Sequence, residues 1–388
     1  MKQKIREMGW IIAAGILIYI YIWHSMMGFR WPSLYVMANH IVTSKYGFMP
    51  RTFINNIVKF FFGGGYLYKR KFLYVLILTV AFLFLLYVIY SIFKQVAVRK
   101  NALYFFVFLT FVISPYAKYY LHEAGYFEQY GYLLGILLIG LVCKKSWKAI
   151  CLLSGVFAFI SVLISETNLF LIVPFMFSIA LLEIIGQGEN LFQRFLGLFI
   201  GYIPTVGYSL AANVIRVPKE IADKIQAHDT ELADFYVLDI YKYFWNDRSN
   251  QDIWGRTLHP IPIECVVLPL MLVCIITFIL YKVNKKIAVS YFVLSALCAV
   301  FNYSIVILAW DLYRYYFCIY IQIFFLTLYI IKKYLYDYKL SRDEIFYFVI
   351  YALAIAGMGR FELTLFDDME YSRTWREVLE VIQKMESH

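Results

Sequence analysis

Long runs of apolar positions, cut by short charged turns, dominate the pattern along this chain. The run FLYVLILTVAFLFLLYVIYSIF (72 to 93) has the ~20 apolar residues that a helix needs to cross a hydrocarbon core. Comparable runs at 9–27, 102–115, 130–143, 148–165, 169–186, 194–212, 261–281, 287–310, 315–332 and 344–359 bring the expected spans to eleven. The pattern predicts an all-α polytopic integral membrane protein, a single membrane domain over 1–388. Spans five and six are separated only by Glu166, Thr167 and Asn168.

Three stretches depart from this pattern. In the first loop, 28–71, FINNIVKFFFGGGYLY is apolar but interrupted by Asn55, Asn56 and Lys59. It is too short and too polar to span, and reads as an interfacial or re-entrant helix ended by Gly63-Gly64-Gly65. The segment 213–260 mixes helix-compatible charged stretches with aromatics. The tail 361–388 ends in YSRTWREVLEVIQKMESH, an amphipathic helix with Trp375, Val378, Leu379 and Ile382 on one side. No internal repeat appears.

Composition agrees: 62% of the 388 residues are hydrophobic and only 16% charged, against the roughly 25% charged of a soluble average. The net charge of +10 is not a nucleic-acid footprint, because the basic residues sit in short clusters between spans. Lys2, Lys4 and Arg6, then Lys94, Arg99 and Lys100, then Lys144, Lys145 and Lys148 all fall on one side of an alternating chain. So do Lys282, Lys285 and Lys286, and later Lys332, Lys333, Lys339 and Arg342. The positive-inside rule then predicts N-terminus in and C-terminus out. Lys69-Arg70-Lys71 falls on the other side and reads as a headgroup anchor. The opening MKQKIRE with its long apolar run lacks a small-residue cleavage site and reads as a retained first span. The six cysteines lie in or beside apolar runs with no CxxC and no histidine at metal spacing, so no metal and no cofactor is expected.

No P-loop, GxGxxG, HExxH or GxSxG is present. Chemistry must come from polar residues gathered at one face, where ionisable groups near a bilayer mark a cavity or pathway. YYLHEAGYFEQYGY (119 to 132) places His122, Glu123 and Glu128 among tyrosines at the outer ends of two spans. Glu166 and Asn168 occupy the tight turn between spans five and six. Asp311 and Arg314 lie in AWDLYRYY, and Arg51 in KYGFMPRTF. Histidine and carboxylate serve as general bases, and arginine clamps phosphate. Each has a plainer reading: Asp311–Arg314 as a salt bridge, Glu166 as a helix start, His122–Glu123 as a solvated pair, Arg51 as a headgroup anchor. Asn302 reads as a helix–helix hydrogen bond, and the tyrosines as an aromatic belt.

The long first outer loop, KYGFMPR, LHEAGYFEQYGYLLG, the SETN turn and WDLYRY together resemble bacterial surface-polysaccharide membrane proteins. These are lipid-carrier-dependent glycosyltransferases of the GT-C fold and Wzy-type polymerases of O-antigen or capsule repeat units. The resemblance implies a multi-pass protein of the bacterial cytoplasmic membrane that moves a sugar or oligosaccharide from a polyprenyl-phosphate or polyprenyl-diphosphate carrier to an acceptor outside. Its partners would be that lipid-linked sugar and other polysaccharide-assembly proteins, with no nucleic acid. Arg51 and Arg314 would hold the leaving phosphate, with Glu128 and Asn168 binding substrate. His122, Glu123 or Glu166 would deprotonate the acceptor, and Asp311 would orient Arg314. GT-C enzymes usually carry an acidic residue in the first outer loop, and 28–71 holds neither Asp nor Glu. That moves the expectation toward a metal-independent site built on arginine and histidine. A flippase of lipid-linked oligosaccharide is the alternative, and a membrane O-acyltransferase a third.

Overall fold

The computed structural model describes residues 2–32, 36, 40, 51–62, 70–122, 124–143, 145–188, 190–214, 263–308 and 312–358. All regular structure among them is helical. In chain order the helices are α1 (Lys2–Gly28), α2 (Phe53–Phe62), α3 (Arg70–Ile92, continued by a π-helical turn Phe93–Val98), α4 (Ala102–Val112) and α5 (Pro115–His122). They continue as α6 (Glu128–Val142), α7 (Trp147–Ile164), α8 (Asn168–Leu171), α9 (Val173–Gly186) and α10 (Leu191–Val214). The last four are α11 (Ile263–Val283), α12 (Lys285–Leu308), α13 (Leu312–Tyr334) and α14 (Arg342–Met358).

Eight helical segments are long and apolar enough to cross a membrane, and nine if α4 and α5, bent by 61° at their join, count as one span. α6 is apolar but has only 15 residues, and α14 has 17. The ten residues of α2 form a helix too short to cross. Ile54 and Val58 dock this helix on Phe127 and Ile164, while Ile57 and Phe60 are exposed, as an interfacial helix requires. The segment 215–260 and the tail 361–388 lie outside the described residues.

Two helix breaks have the same cause, a proline without an amide hydrogen, and side chains replace the lost donors. Pro115 cannot donate to Phe111, so Ser114 supplies both its backbone N–H (3.1 Å) and its hydroxyl (2.6 Å). The neighbouring Val112 carbonyl accepts from His24 Nδ1 at 2.6 Å. At the α8–α9 join, Pro174 cannot donate to Phe170, and Asn302 Nδ2 does so at 3.2 Å. The Leu171 carbonyl is taken by Gln322 Nε2, which also donates to Asn302 Oδ1 at 3.1 Å. Asn302 is therefore the helix–helix bond that its apolar setting predicts.

α13 is the central helix, buried along most of its length, and aromatic stacking fixes it. Tyr116 stacks on Tyr320 at 4.1 Å, Phe111 on Phe324 at 4.2 Å, and Phe84 on Tyr120 at 3.8 Å. Tyr119, Tyr120 and Tyr132 are buried in this core, which corrects their assignment to an interfacial belt. Their rings outweigh the cost of their hydroxyls because each has several aromatic neighbours.

Contacts between turns sort the two ends of the bundle. Lys100 pairs with Glu7 at 2.9 Å, Asn101 Nδ2 donates to the Tyr336 carbonyl at 2.8 Å, and Lys282 pairs with Glu344 at 2.7 Å. Lys333 and Glu183 meet at 2.5 Å, and Gln187 Nε2 reaches the Lys145 carbonyl at 2.9 Å. The basic clusters thus share one end. The candidate residues sit at the other.

Candidate functional site

Glu166 owes its position to the way α7 stops. Ser165 leaves the helix in an extended conformation, its hydroxyl 2.8 Å from that of Thr167, and Asn168 Nδ2 donates to the Ser161 carbonyl at 3.0 Å. The Glu166 carbonyl accepts from Ser209 of α10 at 3.3 Å. α8 has no side-chain cap, so the Glu166 carboxylate is not spent on starting a helix. It meets the Arg51 guanidinium instead: Nε donates to Oε1 at 3.0 Å and to Oε2 at 3.2 Å, and Nη2 to Oε1 at 2.6 Å. The Glu166 side chain is 6% exposed and that of Arg51 is 22% exposed.

Arg51 adopts φ 63°, a left-handed conformation that costs a non-glycine residue roughly 1–2 kcal/mol. Strain of this kind concentrates at functional sites. Immediately after it, Thr52 opens α2, its carbonyl accepting from Asn56 N at 2.9 Å. The plainer readings of Arg51 as a headgroup anchor and of Glu166 as a cap are both replaced by one buried ion pair.

Asn168 is fully buried, and its Oδ1 has no hydrogen-bond partner. Its amide nitrogen holds the turn that carries Glu166, which makes it a positioning residue.

The stretch 119–132 forms the second half of the site. Gln129 closes its turn, accepting from Gly125 N at 3.0 Å and donating to the Tyr120 carbonyl at 2.8 Å. Gly125 has φ 96° and lies against Val36 and Ile77, so no other residue fits there without strain. His122 ends α5 with its ring stacked on Tyr119 at 5.5 Å, and Tyr119 lies 4.8 Å from Phe317 of α13. Glu128 opens α6 and is buried. One turn on, Tyr132 is buried against Phe84 and Tyr120.

Position 314 falls in the first turn of α13, on the helical face that carries Phe317 and Cys318. α2 joins the halves, since Ile54 and Val58 share one apolar cluster with Phe127, beside Glu128, and Ile164, at the end of α7. The structure thus brings Arg51, Glu166 and Asn168 together, places Glu128 beside Phe127 of the α2 cluster, and turns His122 toward Tyr119 and α13. Glu123, Asp311 and the side chain of Arg314 lie outside what is described.

Three residues that the sequence reading did not single out belong here. His40, in the first loop, donates from Nδ1 to the Val36 carbonyl at 2.8 Å and accepts from the Tyr130 hydroxyl at Nε2, 3.0 Å away. That pair of bonds fixes the neutral tautomer. Its ring stacks on Phe127 at 4.8 Å, and burial pushes its pKa down from 6.5 to about 4. Lys118 of α5 is 9% exposed and packs its backbone and Cγ against Gly28 at the end of α1. Its signal was a lysine inside the aromatic run PYAKYYLH. Gln129, the third, had no signal beyond its place before a span.

Among the described residues no three of His, Cys, Asp and Glu gather closely enough to hold a metal ion. The groups that are present can bind an oxyanion through Arg51 and accept a proton on Glu166. Comparison with family models, curated proteins and solved structures returns no match to this chain.

Proposed function

We propose that this chain is a membrane transferase that moves a sugar or oligosaccharide from a polyprenyl-(di)phosphate carrier to an acceptor at the outer face, in surface-polysaccharide assembly. The reading includes eleven crossings, with the N-terminus inside and the C-terminus outside. That orientation is supported by the gathering of the basic clusters at the end opposite Arg51.

The observation that carries the proposal is the Arg51–Glu166 pair, an arginine with 22% of its side chain exposed held by a buried carboxylate. A carrier phosphate competes for the same N–H donors, and Arg51 exchanges one oxyanion for another. Glu166, released, takes the proton of the acceptor hydroxyl. The acceptor oxygen then bonds to the anomeric carbon as that carbon's bond to the phosphate oxygen breaks. The departing phosphate carries away the electron pair and stays on Arg51 and Arg314, where a positive clamp is most useful.

Reconstituted protein with polyprenyl-diphosphate-linked oligosaccharide is expected to yield either chain growth or single transfer, and Arg51→Gln and Glu166→Gln neither. Normal product from both variants defeats the reading.

A second reading, a transporter of the same lipid-linked oligosaccharide, is favoured by the two broken helices and the buried Asn302–Gln322 pair between them and α12–α13. Against it, both amides spend their N–H groups on backbone carbonyls or on each other. The two readings separate in vesicles: a transporter moves labelled lipid-linked oligosaccharide across the bilayer and leaves it chemically unchanged.

A further inference from the structure

We propose that the seam between α7 and α10, at the end of the bundle that carries the basic clusters, binds the phosphate of an anionic phospholipid headgroup. Arg194, in the first turn of α10, carries the argument. Its Nε and Nη1 are buried and have no hydrogen-bond partner. A buried donor left unmade costs roughly 1–3 kcal/mol, more when charged, so a guanidinium in this state calls for an oxyanion. Its planar guanidinium can offer phosphate two parallel bonds from the Nη1–Nη2 edge, of which Nη1 is one of the two unpartnered donors.

The neighbours hold Arg194 at the edge of the seam. Gly197, one turn along the same face, lies so close to Trp147 that an added Cβ would stand 2.9 Å from the indole ring. The backbone at Arg194 is held to α7 by Cys151 Sγ, which donates to its carbonyl at 3.7 Å. Further along, Gly155 and Gly201 bring the two helices into backbone contact, so the seam is closed below Arg194.

The local charge is positive. Lys148 sits 5.8 Å from the Trp147 ring, and Lys145 precedes α7, whose first turn is capped by Ser146. Both α7 and α10 begin at this end, and their N-termini add partial positive charge. Glu183, the acid on the preceding helix, is already held by Lys333 and Tyr329.

The occupant is a lipid and not free phosphate because the flank is built for acyl chains. Phe192 is 83% exposed beside Arg194, with Leu196 and Phe199 also exposed along α10, and basic seams at helix ends recognise anionic headgroups. The site is remote from Arg51 and independent of the proposed transferase activity.

The test uses the full-length protein in detergent, titrated with phosphatidylglycerol, phosphatidylcholine or inorganic phosphate and read by native mass spectrometry. The wild type is expected to retain phosphatidylglycerol in preference to phosphatidylcholine. Arg194→Gln should weaken that retention by about tenfold, and Arg99→Gln, at the same end, should leave it unchanged. Should Arg194→Gln not fold, Arg194→Lys keeps the charge without the fork and is expected to show an intermediate loss. Equal retention by wild type and the Arg194 variants overturns the site. Displacement of the lipid by inorganic phosphate overturns the lipid as its occupant.

Discussion

Arg51 and Glu166 are separated by 115 residues and meet through a guanidinium–carboxylate contact as short as 2.6 Å. The arginine is in a left-handed conformation, and the glutamate sits on a turn between two helices. If the pair were only a fastener, exchanging its partners would preserve it. Arg51→Glu with Glu166→Arg is therefore expected to restore assembly lost in either single variant but not transfer, since a buried arginine in the helix turn presents no base. Each single reversal should destabilise by at least the about 3–5 kcal/mol that orphaning one partner of a buried pair costs, since it also sets like charges together. Thermal melts in detergent and transfer assays on the three variants check this, and recovery of activity in the swap would reduce the pair to a structural role.

The Asn302–Gln322 pair makes a different forecast. Asn302 serves the Phe170 carbonyl that Pro174 leaves without a donor, and Gln322 the Leu171 carbonyl beside it, so Gln322→Leu removes the side-chain donor of a buried carbonyl. The expected cost is about 1–3 kcal/mol. Because Gln322 also donates to Asn302 Oδ1, Gln322→Leu and Asn302→Leu should be non-additive in a double-mutant cycle. Additive losses would mean that the two act separately.

How far the sequence foretold this arrangement depends on the physics behind each feature. Apolar runs are a composition signal summed over ~20 residues, and the expected spans fall on helices, 169–186 on two of them, with eight or nine segments long and apolar enough to cross. The breaks after Val112 and Leu171 follow from single prolines whose consequence depends on distant donors such as His24 and Asn302, and no local pattern announces those. Arg51 and Glu166 were each visible as unusual polar residues, but their pairing across 115 positions is a tertiary fact. The tyrosines of 119–132 misled for a related reason: an amphipathic ring suits both an interface and a core, and only neighbours such as Phe84 and Phe317 decide. His40 was missed because a lone histidine in a long loop carries no spacing signal until Phe127 and Tyr130 close around it.

Backbone contact between α7 and α10 sets a third expectation. A Cβ at Gly155 would run into the Gly201 carbonyl, so Gly155→Ala must push the helices apart and lose packing, at a cost of about 1–3 kcal/mol. Gly207→Ala, on the same α10 but facing open space, should be neutral or slightly stabilising, as alanine is the better helix former. The two melting temperatures measured side by side decide it, and an equal response from both would show that the seam is looser than its geometry.

His40 predicts a pH dependence with a definite sign. Its neutral ring donates to Val36 and accepts from Tyr130, and protonation would remove the acceptor and charge a buried group. The folded pKa, about 4, lies below the ordinary 6.5, so between those values the unfolded chain binds more protons than the folded one. The stability that His40 gives through its contacts with Phe127 and Tyr130 is thus fully present above about pH 6.5 and drains away as pH falls toward about 4. Amide exchange in α2, corrected for its intrinsic pH dependence, should show protection declining across that window in the wild type. In His40→Gln, which cannot titrate, protection should be lower at neutral pH and flat. A decline of the same size in that variant would assign the effect to another group.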